Sequence, residues 1–217
     1  MMHYRIKGLT IKTENAAKPV NQPSQFVLEW IANLPREAIV LDYGCGKFRY
    51  TIPLSQRVRF VYAVDSIEQV ERTQIINTKV TTLRQYAHDY LKNVIVCDVN
   101  SNDWKKIKFD YILCANVLQI VPIKRERRRI LEIFLNILKR DGKVFVCTQY
   151  HNSYFNTYKT NPNAIPHLDG WLVRSRNGPS FYGIITAKEL AKLCIKAGLT
   201  NIDTHTQNGS AFVLASR

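Results

Sequence analysis

Five short runs in this chain are apolar at every position: Ala38 to Leu41, Phe60 to Val64, Val94 to Cys97, Tyr111 to Cys114 and Val144 to Cys147. A strand with one wet face alternates polar and apolar residues. A strand covered on both faces has no reason to, and such strands belong to parallel sheets flanked by helices. The segments between the runs carry the helical period instead. After Pro23 and Ser24 come Phe26, Val27, Trp30, Ile31 and Leu34, and Pro35 closes the stretch. Residues 67 to 91 read as helix, broken near Asn77 to Thr81, and residues 123 to 139 as one longer helix. Asp141-Gly142 is the expected turn between that helix and the fifth strand. Thr186 with Glu189 forms a capping box for a helix that Gly198 ends. Ile202 to Thr204 and Ala211 to Ala215 are two closing strands. The alternation predicts an α/β protein with a doubly wound, Rossmann-like sheet.

The 217 residues suit one domain spanning 1–217, with a polar, basic arm over 1–22 and an irregular insert over 149–184. No apolar run reaches the ~20 residues that cross a bilayer, and the N-terminus lacks a signal-peptide core, so a cytoplasmic protein without membrane contact is expected. Cys97, Cys114, Cys147 and Cys194 lie in apolar runs and Cys45 between two glycines. No C-x-x-C pair is present, so neither a metal site nor a disulfide framework is expected. Charge is the unusual property: 31 Lys and Arg stand against 17 Asp and Glu, a net +14. Such a field draws polyanions, nucleic acid among them. Candidate contacts are Lys124, Arg125, Arg127, Arg128 and Arg129 at a helix start, and Arg174 and Arg176 in the insert. Charges spread over solvated faces are the plainer alternative.

The chemistry concentrates at Val40-Leu41-Asp42-Tyr43-Gly44-Cys45-Gly46, where a buried strand runs into a turn with two glycines. Ligands of open α/β sheets bind at the carboxyl ends of strands, where glycine lets them approach the main chain. Asp65 ends the next strand, 19 residues after Gly46, and a carboxylate there can accept both hydroxyl hydrogens of a ribose. Use of a nicotinamide cofactor fits less well, because Lys47-Phe48-Arg49 stands where its phosphate loop needs a third glycine.

At these residues the chain resembles the class I S-adenosylmethionine-dependent methyltransferases. Asp42-Tyr43-Gly44-Cys45-Gly46 matches their first motif, Asp65 their ribose-binding acid, and Asp98 the acid beside adenine. Phe109-Asp110-Tyr111 through Asn116-Val117-Leu118 matches the fourth motif, and Leu138 to Lys143 the turn before the fifth strand. The resemblance implies seven strands, the last antiparallel and inserted beside the sixth. It also implies S-adenosylmethionine as cofactor, held by Asp42, Gly44, Cys45, Gly46, Asp65, Ser66, Asp98, Val99 and Asn116. Phe48 departs from the pattern, since many members have glycine there, and a ring at that place would crowd or shield the methionine portion. The implied reaction is in-line displacement at the sulfonium methyl, which needs alignment and exclusion of water. Candidate catalytic residues are Tyr150, His151 and Asn116, with Gln119 and His167 nearby in sequence. The N-P-P-Y tetrapeptide and the Pro-Cys pair of two DNA-directed classes are absent. Tyr150 to Lys159, with Trp171, Arg174, Arg176 and Tyr182, interleaves rings and cations that can stack on bases or close over a small molecule. The leading expectation is therefore a nucleic-acid acceptor. A small-metabolite acceptor and a catalytically silent cofactor-binding module are the alternatives.

Overall fold

Each of the five apolar runs is a strand, and the two closing strands join them in a seven-stranded sheet. The computed structural model describes residues 3–17, 20–151, 153–175 and 178–217. In chain order the elements are β1 (His3–Ile6), β2 (Leu9–Lys12), α1 (Gln25–Ala32), β3 (Ile39–Tyr43), α2 (Thr51–Arg57), β4 (Phe60–Asp65) and α3 (Ile67–Glu71). Then follow β5 (Gln74–Ile76), β6 (Lys79–Thr81), α4 (Leu83–Tyr90), β7 (Val94–Asp98), β8 (Phe109–Ala115), α5 (Lys124–Ile137) and β9 (Leu138–Gln149). The last third holds α6 (Ser153–Thr160), β10 (Ile165–His167), β11 (Gly170–Ser175), β12 (Gly178–Gly183), α7 (Ala187–Lys196), β13 (Thr200–Gln207) and β14 (Ser210–Ser216). The sheet runs β13-β14-β9-β8-β3-β4-β7. β3 is parallel to β4 and β8, and β4 to β7, while β14 is antiparallel to both its neighbours. The last strand thus lies beside the sixth, as the resemblance implied.

By contacts the chain divides into two units. The first comprises Ala17–Leu113 and Ile137–Gly142. In it Val40, Leu41, Asp42 and Tyr43 of β3 are all buried, which explains the lack of alternation. Residues 67 to 91 are not two adjoining helices. The hairpin β5–β6 separates α3 from α4, turning at Asn77-Thr78 with both residues at positive φ, the geometry that matches strand twist in a two-residue turn. Its cross-strand pair Ile75 and Val80 is 63% and 74% exposed. The expected Asp141-Gly142 turn is also absent, because β9 begins at Leu138 directly after α5 and runs through both residues. Gly142 is there for space: a Cβ would lie 2.9 Å from the Asp110 carbonyl oxygen and 2.8 Å from Leu138 Cδ1.

The second unit comprises Met2–Ala16, Cys114–Asn136 and Lys143–Arg217. The basic arm is structured within it. β1 and β2 form a hairpin whose Ile11 packs with Leu172 and Phe181, all fully or nearly fully buried. The insert is also regular, as α6 and the antiparallel sheet β10-β11-β12. Leu172 and Phe181 point from one face of that sheet, and Trp171 and Tyr182, one residue out of phase, from the other. Tyr158 of α6 stacks on Tyr182 at 5.8 Å between ring centroids and meets Trp171 at 6.2 Å.

The basic run at the start of α5 needs correction at one position. Arg127 is 1% exposed, so it is not a surface cation. Its guanidinium donates to both carboxylate oxygens of Asp169, at 2.9 Å for the Nη2–Oδ1 contact, and its Nε donates to the Val121 carbonyl oxygen at 2.8 Å. The helical period turns every third or fourth residue of an exposed run inward, and here that residue is a paired arginine. Lys124, Arg125, Arg128 and Arg129 are exposed, but Arg128 pairs with Glu132 at 3.0 Å, and Arg125 and Arg129 lie 3.8 and 3.9 Å from Glu126. Arg174 is exposed, and Arg176 lies outside the described residues. Among the described residues no helix is long and apolar enough to cross a membrane.

Candidate functional site

In the first unit the turn after β3 is stitched to the tip of β4. Gly44 and Cys45 both donate their N–H to the Val64 carbonyl oxygen, at 2.8 and 3.2 Å. Two bonds to one acceptor require a tight curl, and Gly44 and Gly46 supply it with φ of +74° and +59°, where glycine carries no Cβ penalty. Asp65 and Asp98 are register partners at the tips of β4 and β7, so their backbones sit side by side. The Asp65 carboxylate is fixed from both sides: Gly46 N–H donates to Oδ2 and Ser66 N–H to Oδ1, each at 2.8 Å. A carboxylate oxygen can accept more than one hydrogen bond, so these two bonds orient the group without exhausting it as an acceptor. Val99 N–H donates to the Asp65 carbonyl at 2.7 Å, and Asp98 Oδ1 accepts the Asn100 N–H at 3.1 Å. Gly44, Gly46, Asp65, Asp98 and Val99 are half-buried and so reachable.

Asp42, Cys45 and Ser66 belong to the layer beneath. Asp42 is buried, accepts the Thr51 hydroxyl at 2.6 Å, and has its pKa pushed up to about 7, chiefly by burial. The Thr51 bond and the Arg49 charge oppose that rise, and the Asp65 charge adds to it. Burial, with the Asp65 and Asp42 charges behind it, also pushes the Cys45 thiol well above its usual range, so it stays a neutral apolar group. Ser66 is the N-cap of α3, its hydroxyl accepting the Gln69 N–H at 3.3 Å. The expected crowding by Phe48 does not occur. Its ring is 0% exposed within a cluster of Cys45, Ala63, Val70, Ile76, Leu83, Tyr86 and Ala87, which leaves it no face for a ligand.

In the second unit Asn116 follows β8 with φ +62°, a left-handed conformation that asparagine tolerates better than most residues, and donates its N–H to the Cys147 carbonyl at 2.8 Å. Tyr150 and His151 leave β9 with both N–H groups on the Gly209 carbonyl, at 2.9 and 3.0 Å. Tyr150 is half-buried and His151 exposed. Gln119 is buried with its Oε1 accepting the Gln149 N–H, and His167 Nε2 lies 3.0 Å from the Pro122 carbonyl, so both have structural partners.

Residues 15–204 match the family described as "Methyltransferase domain". The chain belongs to this methyltransferase family. It is 32% identical over 212 residues to the uncharacterised protein YmfD of Escherichia coli K12, covering 98% of this chain and 95% of that one. Its fold matches a protein of Pyrococcus horikoshii OT3 with a TM-score of 0.63 at 16% identity, over 92% and 94% of the two chains. It also matches a Burkholderia thailandensis 1,6-didemethyltoxoflavin N1-methyltransferase, solved with that heterocycle and S-adenosylhomocysteine, with a TM-score of 0.56 at 18% identity, over 84% of this chain and 72% of that one.

Three residues that bond or touch candidate site residues were not singled out from the sequence. Thr51 supports Asp42 from the next helix. Gln69 donates to the Gly46 carbonyl. Gly209, at φ +72°, touches His151 so closely that a Cβ would lie 2.0 Å from the His151 carbonyl oxygen. The Asn208-Gly209 pair is a legible hairpin turn, but only the fold shows what rests on it.

Proposed function

We propose that this methyltransferase takes S-adenosylmethionine as its cofactor and methylates a small-molecule acceptor. The cofactor reading rests on one observation above the others: the Asp65 carboxylate, oriented by two N–H groups beside Asp98 and the Gly44–Gly46 turn. These groups match what an adenosyl sulfonium offers, which is two ribose hydroxyls, an adenine amino group and positive charge. The bound cofactor supplies an electrophilic methyl whose bond to sulfur breaks as the acceptor's lone pair bonds to carbon, the electron pair returning to sulfur. Asp65 holds the ribose, Asp98 the adenine edge, and buried Asp42 adds negative charge beneath the turn. Tyr150 and His151 are the assigned candidates to take an acceptor proton, and Asn116 to orient the acceptor.

The acceptor reading rests on the insert. Its Trp171, Tyr182 and Tyr158 form a half-buried aromatic group, and Arg125, Arg128 and Arg129, beside the buried Arg127, lie next to Glu126 or Glu132, which offset part of their charge. The net charge of +14 favours the second reading, a nucleic-acid acceptor. Incubation with methyl-labelled cofactor and fractionated extract separates the two. Label in the small-molecule fraction supports the proposal, and label in RNA or DNA replaces it with the second reading.

A further inference from the structure

Gly46 is gripped at both ends of its backbone. Its N–H is on Asp65, and its carbonyl oxygen accepts a hydrogen bond from Nε2 of Gln69 on α3. Gln69 is 0% exposed. Its amide gives a second bond to Gln74 Oε1 at 3.1 Å, and Gln74 Nε2 answers on the Gln69 carbonyl oxygen at 3.1 Å. The cost of this orientation is visible: among the described residues Gln69 Oε1 is buried with no hydrogen-bond partner, and leaving a buried acceptor unsatisfied is unfavourable. The amide therefore turns both hydrogens to the turn and to Gln74 at the expense of its own oxygen. Gln74 opens the β5–β6 hairpin, which stands around the expected break between two helices.

We propose that Gln69, braced by Gln74, is a positioning residue for the cofactor. It fixes the Gly46 peptide so that the N–H meets Asp65 Oδ2 and leaves the carboxylate aimed at the ribose. The hairpin is then part of the cofactor site through Gln74, although its exposed Ile75 and Val80 touch none of it. This inference rests on the reading of the turn as a cofactor cradle.

The test is calorimetric titration with S-adenosylhomocysteine, which needs no acceptor. Gln69→Leu removes the donor and the orphaned oxygen together. It also leaves the Gly46 carbonyl and Gln74 Oε1 without their donor, so some loss of thermal stability accompanies it and affinity is read well below the melting temperature. The expected result is a roughly tenfold higher Kd, as for loss of one hydrogen bond worth about 1.4 kcal/mol, at a temperature where the ligand-free variant is folded. KM for the cofactor rises while kcat at saturating cofactor stays constant. Gln74→Leu raises Kd in the same direction, and the double variant is no worse than Gln69→Leu, because both act through one amide. Val80→Lys leaves Kd unchanged. If wild type binds no S-adenosylhomocysteine, the cofactor reading itself fails. If wild type binds and both Gln69→Leu and Gln74→Leu bind equally well, the cradle stands and this inference is overturned. Should Gln69→Leu fail to fold, Gln74→Leu decides alone.

Discussion

Asp42 is held almost out of water with one hydroxyl partner, so its charge is dear until a cation offsets it. Folding raises its pKa from 3.8 to about 7. Its contribution to the stability of the ligand-free protein is therefore complete below the lower value and fades as pH rises through the upper one. Cofactor binding runs the other way, since a positively charged ligand prefers the ionised carboxylate. Affinity for S-adenosylmethionine should rise with pH through about 7, and Asp42→Asn should flatten that dependence in titrations at several pH values. Asp65→Ala removes the acceptor of the Gly46 and Ser66 N–H groups as well as of the ribose. Its expected effect is at least a tenfold loss of cofactor affinity, since hydrogen bonds to a charged group contribute roughly 1.5–3 kcal/mol. Its far-ultraviolet circular dichroism should match wild type.

At the scale of elements, local rules and close approaches divide what the sequence reveals. The α7 helix was legible because its signals are local: Thr186 and Glu189 cap each other's backbone within one turn, and Gly198 ends it at φ +91°. The strands were legible because burial on both faces leaves an unbroken apolar run. The β5–β6 hairpin was not, because Ile67 and Val70 before it and Leu83, Tyr86 and Tyr90 after it keep helical spacing, while its own strands are three residues long and put Ile75 and Val80 in solvent. Asp141-Gly142 misled for a related reason, since a glycine needed for space reads like one needed for a turn. Arg127 was hidden within a run of like residues, its partner Asp169 lying 42 positions away. Arg127→Leu should cost about 3–5 kcal/mol in denaturant unfolding by leaving Asp169 without its counter-charge. Gly209→Ala must push back the His151 carbonyl and adopt a left-handed φ. It should lower turnover more than cofactor affinity if the end of β9 serves the acceptor. Turnover equal to wild type would place the acceptor elsewhere.

For the whole molecule, the alternation of strands and helices followed from periodicity, the acidic strand tips from motif spacing and the place of the last strand from the family resemblance, whereas the acceptor followed from none of them. The proposed acceptor surface is built from separate stretches of the insert, such as Tyr158, Trp171 and Tyr182, whose meeting no spacing rule encodes. The net charge of +14 is likewise silent about where the cations lie, and Arg125, Arg128 and Arg129 of α5 lie beside acidic partners. A small-molecule methyltransferase with this charge should show only weak RNA binding that vanishes at moderate salt, measurable by filter binding across a salt series. The central claim is a cofactor cradle at the tips of β3, β4 and β7. A crystal structure with S-adenosylhomocysteine tests it directly. The account predicts ribose hydroxyls on the Asp65 carboxylate, adenine beside Asp98 and the backbone of Gly44 to Gly46 against the ligand. Ligand density at any other part of the molecule, with no contact to the Asp65 carboxylate, would contradict it.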